Sequence, residues 1–211
     1  MSDIWSRVHD ERRALIADLA GLPAQAWEQP SLAAGWTIHD VAAHLVDNAR
    51  TTPLRLVVAM AKARFDFDRQ NANGVAAAKG SSPEETLQRL RDVASRRSGP
   101  PAPKASRLVE EIAHGEDIRR PLGIERDYPV ASVLDALDYQ LHTPQRFDGA
   151  KELLGDVRLV ATDADFSAGD GPVVEGCALD LLMVATGRAP RTEGLSGAGV
   201  ARLVELGRAT A

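Results

Sequence analysis

Residues 108–123 read LVEEIAHGEDIRRPLG, a charged helical segment that places Glu110 and His114 four positions apart. Side chains at positions i and i+4 of a helix project from the same face. Asp117 follows three residues after His114 and continues that face. A carboxylate and an imidazole one turn apart are a pair with which helical bundles hold a divalent metal. Spacing does not exclude Glu111, at i+3 from His114, as the ligand in place of Glu110.

A second helix supplies the candidate for a third ligand. The stretch GWTIHDVAAHL (35–45) predicts a helix beginning after Thr37, because Thr37 and Asp40 have the spacing of a capping box. His44 lies among apolar residues on a face that we expect to point inward, where an imidazole needs partners for its nitrogens. A metal would be one partner, but a core histidine bonded to a backbone carbonyl, with the Glu/His pair exposed elsewhere, fits the same spacing. His39 lies about 140° around the helix from His44, so we expect it at the surface and away from the metal.

The periodicity divides the chain into a helical part and a later mixed part. Helical patterns recur up to about residue 148, whereas apolar and polar residues alternate in GDVRLVATDADF (155–166), as they do in a strand. We therefore predict an α+β protein with a helical domain over residues 1–148 and a small α/β domain over residues 149–211. The polar, glycine-containing stretch 68–82 is predicted to be a mobile loop. The predicted helices of the first domain include 3–20, 54–65, 105–119 and 129–140.

Composition and charge exclude several classes of protein. The 25 Lys and Arg residues are fewer than the 30 Asp and Glu residues, and a net charge of −5 argues against binding to nucleic acid. No apolar run approaches the roughly 18 residues of a membrane span, and the charged N-terminus lacks the apolar stretch of a signal peptide. Cys177 is the only cysteine, which excludes an intramolecular disulfide framework and leads us to expect a cytoplasmic protein. We expect Cys177 to be a small buried residue and not a nucleophile.

Several stretches of the chain resemble one protein family, in the same order. GWTIHDVAAHL (35–45) resembles the metal-binding N-terminal signature of the mycothiol-dependent maleylpyruvate isomerase family, part of the DinB-like superfamily of thiol-using proteins. LVEEIAHGEDIRRPLG (108–123) resembles the second motif of that family. The tail is similar too, in VRLVATDADFSAGDGPVVEGCALDLLMVATGR (157–188) and LSGAGVARL (195–203). The resemblance therefore covers nearly the whole chain.

The resemblance implies a fold and a set of site residues. The implied fold is a DinB-like four-helix bundle that binds a catalytic zinc through two histidines and a glutamate, followed by a small α/β domain similar to a sterol-carrier fold. By matching motif, the metal ligands are His44, Glu110 and His114, which selects one of the two glutamates that spacing left open. Asp117 matches an acidic position expected to contact the thiol or to support a ligand. Arg188, in the TGR sequence, matches an arginine that the family places near the metal.

The resemblance also implies an activity. We expect an enzyme, dependent on zinc or another divalent metal, that activates the low-molecular-weight thiol mycothiol for addition or transfer to an electrophilic small molecule, as an isomerase or S-transferase. The expected partners are that thiol and the electrophile, without nucleic acid or membrane, and the expected state is a monomer or homodimer. Two alternatives stay open: a non-catalytic, metal-stabilised small-molecule-binding module, and a zinc-dependent hydrolase in which the metal activates water.

Overall fold

Six α-helices form the described part of the first of two compact units in the chain. The computed structural model describes residues 3–188 and 194–208, and the chain divides into Met1–Arg126 and Asp127–Ala211. The helices of the first unit are α1 (Ile4–Ala20), α2 (Ile38–Arg50), α3 (Pro53–Lys62), α4 (Phe67–Ala78), α5 (Pro83–Val93) and α6 (Ala105–Leu122). Helices α1, α2, α5 and α6 form a four-helix bundle in which α1 and α2 each pack against both α5 and α6.

Local sequence signals fix where these helices begin and end. The predicted capping box of α2 is present, because the Thr37 hydroxyl accepts from the backbone N–H of Asp40 and the Asp40 carboxylate accepts from the N–H of Thr37. The Ser82 hydroxyl caps α5 by accepting from the backbone N–H of Glu85. A cap of this kind contributes about 1 kcal/mol. Helix α6 runs beyond the predicted 105–119, and ends at Gly123, whose φ of 65° is the left-handed conformation that glycine adopts without strain.

Each of the four helices of the bundle contributes at least one large aliphatic side chain to the core. Leu15, Leu45, Leu90 and Ile118 come from α1, α2, α5 and α6 in turn, and each is at most 2% exposed. Burying a side chain of this size stabilises the fold by about 1.5–3 kcal/mol. The shared core holds α2 beside α6, the two helices that carry the candidate ligands.

The prediction of a mobile loop over 68–82 is wrong, because residues Phe67–Ala78 form helix α4. Asp66 caps the first turn by accepting a backbone hydrogen bond. Val75 and Ala78 are buried in the core, and α4 packs against α2. A mostly polar segment is thus helical because its narrow apolar stripe packs on a neighbour, an effect that intrinsic propensity does not reveal.

The second unit combines three α-helices with a small sheet among its described residues. Its elements are α7 (Val130–His142), β1 (Arg158–Ala161), β2 (Ser167–Ala168), β3 (Val173–Gly176), α8 (Ala178–Ala185) and α9 (Val200–Glu205). The strand order is β2-β1-β3, with β1 antiparallel to β2 and parallel to β3. The predicted α+β class is confirmed. The sequence placed the domain division at residue 148, whereas α7 lies in the second unit, where it packs against α8 and buries Leu137.

None of the helices among the described residues combines the length and the apolar character needed to cross a membrane.

Candidate metal centre

Three side chains predicted as metal ligands lie together between α2 and α6. His44 comes from α2, and Glu110 and His114 come from adjacent turns of α6. The Nε2 atoms of His44 and His114 each lie 3.5 Å from Oε2 of Glu110. One potential ligand atom from each residue lies within 4.8 Å of the other two, and the two imidazole centroids are 4.6 Å apart. Two nitrogens and one carboxylate oxygen at this spacing match the donor set of a zinc site with room for a further ligand.

Asp117 contacts the opposite edge of the His114 ring. Its Oδ2 lies 2.8 Å from Nδ1 of His114, and the side chain is fully buried. Because an ionised carboxylate only accepts hydrogen bonds, Nδ1 carries the proton and Nε2 keeps its lone pair for the cluster. Asp117 thus sets the orientation and tautomer of the ring, as carboxylates behind metal-binding histidines do.

Two residues that the sequence did not single out hold the Glu110 carboxylate. The Asn48 amide donates to Oε2 of Glu110 at 2.6 Å, and Arg107 lies 3.8 Å from Oε1. Arg107 also donates to the Asn48 side-chain carbonyl, which closes a network of three groups. Asn48 is four residues after His44 and Arg107 three residues before Glu110, so both share a helix face with a ligand. That spacing was the only signal in the sequence that could have found them.

Electrostatics keep Glu110 ionised. Burial by itself raises the pKa of Glu110, but the hydrogen bond with His44 and the positive charge of Arg107 outweigh it. The pKa of Glu110 is therefore held well below its ordinary value. The group is present as the carboxylate, the form that binds a cation.

Glu111, the alternative that spacing left open, points elsewhere. Its Oε1 lies 2.7 Å from Nε of Arg12 on α1, and both side chains are almost completely buried. Burial raises the pKa of Glu111 by more than the nearby Arg12 guanidinium lowers it. Neighbouring glutamates on one helix are thus directed to different places, one to the histidine cluster and one to the α1–α6 interface.

Trp36 forms an aromatic wall beside the cluster. Its ring centroid lies 5.1 Å from that of His44 and 6.4 Å from that of His114, with the second pair nearly parallel. The segment that carries Trp36 leads directly into the capping box of α2. The indole therefore limits the direction from which a ligand reaches the two imidazoles.

The expectation that His39 lies at the surface is wrong, since the residue is 3% exposed. Its Nε2 lies 2.7 Å from the hydroxyl of Thr86 on α5, and its ring meets the ring of Trp27 edge to face. Helix α2 is covered on several sides, so a position 140° away from His44 is buried as well. The group of potential metal ligands found among the described residues does not include His39.

Cys177 and Arg188 both belong to the second unit. Cys177 precedes α8 and donates from Sγ to the Asp180 carboxylate at 3.3 Å. Burial raises the pKa of the Cys177 thiol, which disfavours the thiolate that a nucleophile needs. Arg188 follows α8 and donates to the carbonyl of Thr186 at 3.1 Å. Its place near a metal stays a prediction.

The fold and the cluster define a class, namely a helical-bundle protein with a His/Glu/His set of potential metal ligands. Residues 8–104 match the mycothiol maleylpyruvate isomerase N-terminal domain family. This match covers a little under half of the chain and confirms the resemblance to the mycothiol-dependent maleylpyruvate isomerase family stated above.

Two solved structures share the fold over most of both chains. One is a histidine-to-alanine variant of the mycothiol-dependent maleylpyruvate isomerase, with a TM-score of 0.64 and 16% identity, covering 92% of this chain and 91% of that chain. The unsubstituted mycothiol-dependent maleylpyruvate isomerase gives a TM-score of 0.60 at the same identity and coverage. Comparison with curated protein sequences gives no match.

Proposed function

We propose that the chain is a metal-dependent enzyme that activates mycothiol for addition or transfer to an electrophilic small molecule, as an isomerase or S-transferase. The observation that carries the proposal is the convergence of the His44 and His114 Nε2 atoms on one oxygen of Glu110. The match of residues 8–104 to the N-terminal domain of the isomerase family, and a fold shared with a mycothiol-dependent enzyme, support the choice of thiol and reaction class.

The donor set fits zinc or a similar divalent ion. His44, Glu110 and His114 would hold it, and three protein ligands leave a position for an outside molecule, as in catalytic zinc sites. A divalent ion with one carboxylate and two neutral imidazoles keeps a single positive charge, which a thiolate neutralises. Bound there, the ion would supply Lewis acidity that favours the thiolate form of a thiol.

The surrounding residues orient or cover the candidate ligands. Asp117 holds the His114 ring with its Nε2 lone pair toward the cluster. Asn48 and Arg107 hold Glu110, and the buried Arg107 guanidinium adds positive charge beside the site. Trp36 lies beside both imidazoles and covers one side of the pair. These contacts favour an ordered site that receives an anionic sulfur ligand.

The test is metal analysis combined with thermal unfolding in the presence of thiols. Purified protein is expected to hold about one divalent ion per chain, and mycothiol or N-acetylcysteine is expected to raise its unfolding temperature. His44→Ala removes one ligand and is expected to lose both properties. His142→Ala, at an exposed histidine of α7, is the matched control and is expected to keep them. Protein that binds metal but gains no stability from either thiol would contradict thiol activation and favour the hydrolase or the binding module.

A further inference from the structure

An open groove of about 470 Å³ lies between α2, α3 and α4. This volume falls within the range of about 300–1,000 Å³ that small-molecule sites occupy. We call it the α3 groove, and the lining residues that matter here are Asp47, Leu54, Arg55, Val58, Lys62 and Ala77. None of them belongs to the three-residue cluster between α2 and α6.

One wall of the α3 groove is apolar and uncovered. Met60 is the only residue of helix α3 that is buried, while Leu54 and Val58, which line the groove, are 74% and 46% exposed. Solvent-exposed aliphatic groups grouped along one helix mark a surface that gains from contact with an apolar ligand. The groove therefore favours a molecule with a hydrophobic body.

The same wall carries two positive charges. Arg55 and Lys62 are seven residues apart on α3, so they project from nearly the same side of the helix, and both line the groove. Within residues 3–188 and 194–208, the Lys62 ammonium has no hydrogen-bond or ion-pair partner. A pair of cations beside apolar residues, in a chain of net charge −5, fits an anionic group on the ligand.

Helix α2 connects the groove to the histidine cluster. Thr51 lines the groove seven residues after His44, which places it about 10 Å further along the helix and on nearly the same side. Asp47 lies one turn after His44 and closes the groove against Gly74 of α4, where any side-chain carbon would collide with the Asp47 carboxylate. The groove thus begins within the length of one small molecule from the cluster.

We propose that the α3 groove binds the apolar body of the electrophilic substrate, with its carboxylate or similar anionic group beside Arg55 and Lys62. This inference rests on the proposed function, because it assigns the substrate of that site to a class. The class is an amphipathic organic acid, with its electrophilic carbon near the His44 end of the groove and its body longer than that of a short diacid.

The binding test uses 8-anilinonaphthalene-1-sulfonate, a fluorescent probe with an apolar body and an anionic group. Ala77→Trp fills the groove and is expected to weaken probe binding by at least about tenfold, whereas Ala76→Trp, at the exposed neighbouring position outside the lining, leaves it unchanged. Lys62→Gln is expected to weaken binding by about two- to fivefold, the effect of one exposed charge, with Arg69→Gln as control. Decanoate is expected to displace the probe and maleate is not.

Several outcomes would overturn the proposal that the α3 groove binds the substrate. They are unchanged binding in Ala77→Trp, equal loss in Ala76→Trp, or displacement by maleate but not by decanoate. A dimer that Ala77→Trp dissociates would instead assign the groove to a second copy of the chain. Should Ala77→Trp fail to fold, amide chemical shifts of the unsubstituted protein decide the matter, since the probe is expected to move the Gly74 signal first.

The same measurements separate this inference from the proposed function. His44→Ala is expected to bind the probe as tightly as the unsubstituted protein, because His44 does not line the groove. Probe binding that depends on Ala77, in a protein that gains no stability from thiols, would overturn the proposed function and leave the groove in place. Thiol-dependent stabilisation without a groove effect would overturn this inference alone.

Discussion

The buried carboxylate of Asp117 lies 2.8 Å from Nδ1 of His114 and fixes which nitrogen of that ring is available to a metal. The pair spans one turn of α6, so the helix that supplies two candidate ligands also supplies the support for one of them. Because Asp117 sits behind the ring, its effect on chemistry passes through His114.

Asp117→Asn is expected to weaken zinc binding by about 10–100-fold, the usual effect of losing a carboxylate behind a metal-binding histidine. The amide keeps the size of the side chain but no longer stabilises the required tautomer. Competition with a zinc-sensitive dye measures the affinity. Asp138→Asn is the matched control, since Asp138 lies 3.4 Å from the exposed His142 ring, also one turn away. Equal zinc affinities in the two variants would contradict the role of Asp117 in orienting His114 for the metal.

Neighbouring glutamates of α6 are expected to give opposite results. Glu110→Gln should lose the metal with a small effect on the apo fold. Glu111→Gln should keep the metal but lower the free energy of unfolding by about 3–5 kcal/mol, because it leaves Arg12 buried without its charged partner. Metal analysis and urea unfolding of both variants measure the two quantities. Metal loss in folded Glu111→Gln, with full metal in Glu110→Gln, would reverse the assignment of the ligand.

Part of the fold and of the site follows from sequence, and the missed parts depend on neighbours. The helix starts at Thr37 and Ser82 can be predicted from sequence, because an N-cap is a hydrogen bond between residues that are close in the chain. Glu110 and His114 share a face for the same local reason. Helix α4 and the burial of His39 were not predicted, because both depend on packing against another helix. The periodicity of a short segment does not show which other helix it packs against.

His39 is expected to make stability depend on pH. Burial first, and the charge of Lys79 second, lower its pKa from the ordinary 6.5. Between the lowered native pKa and 6.5, the unfolded chain binds more protons than the native protein, so stability rises with pH there and is lost as the pH falls. His39→Gln should reduce this dependence.

Urea unfolding of metal-free protein on either side of pH 6.5 measures the effect. His142→Gln is the control, because the His142 side chain is 74% exposed and makes no comparable buried contact. An unchanged pH dependence in His39→Gln would mean that another group, such as His9, whose pKa is also lowered by burial, carries it.

In the proposed function, His44, Glu110 and His114 hold a metal to which a thiol binds. Cobalt substitution tests it most directly, because sulfur coordination to Co²⁺ gives a near-ultraviolet charge-transfer band that oxygen ligands do not give. Mycothiol added to the cobalt protein is expected to produce this band, with saturation at one thiol per chain, in the unsubstituted protein and in Cys177→Ser. Tetrahedral cobalt that shows no such band at saturating thiol, or a band that disappears in Cys177→Ser, would contradict the account.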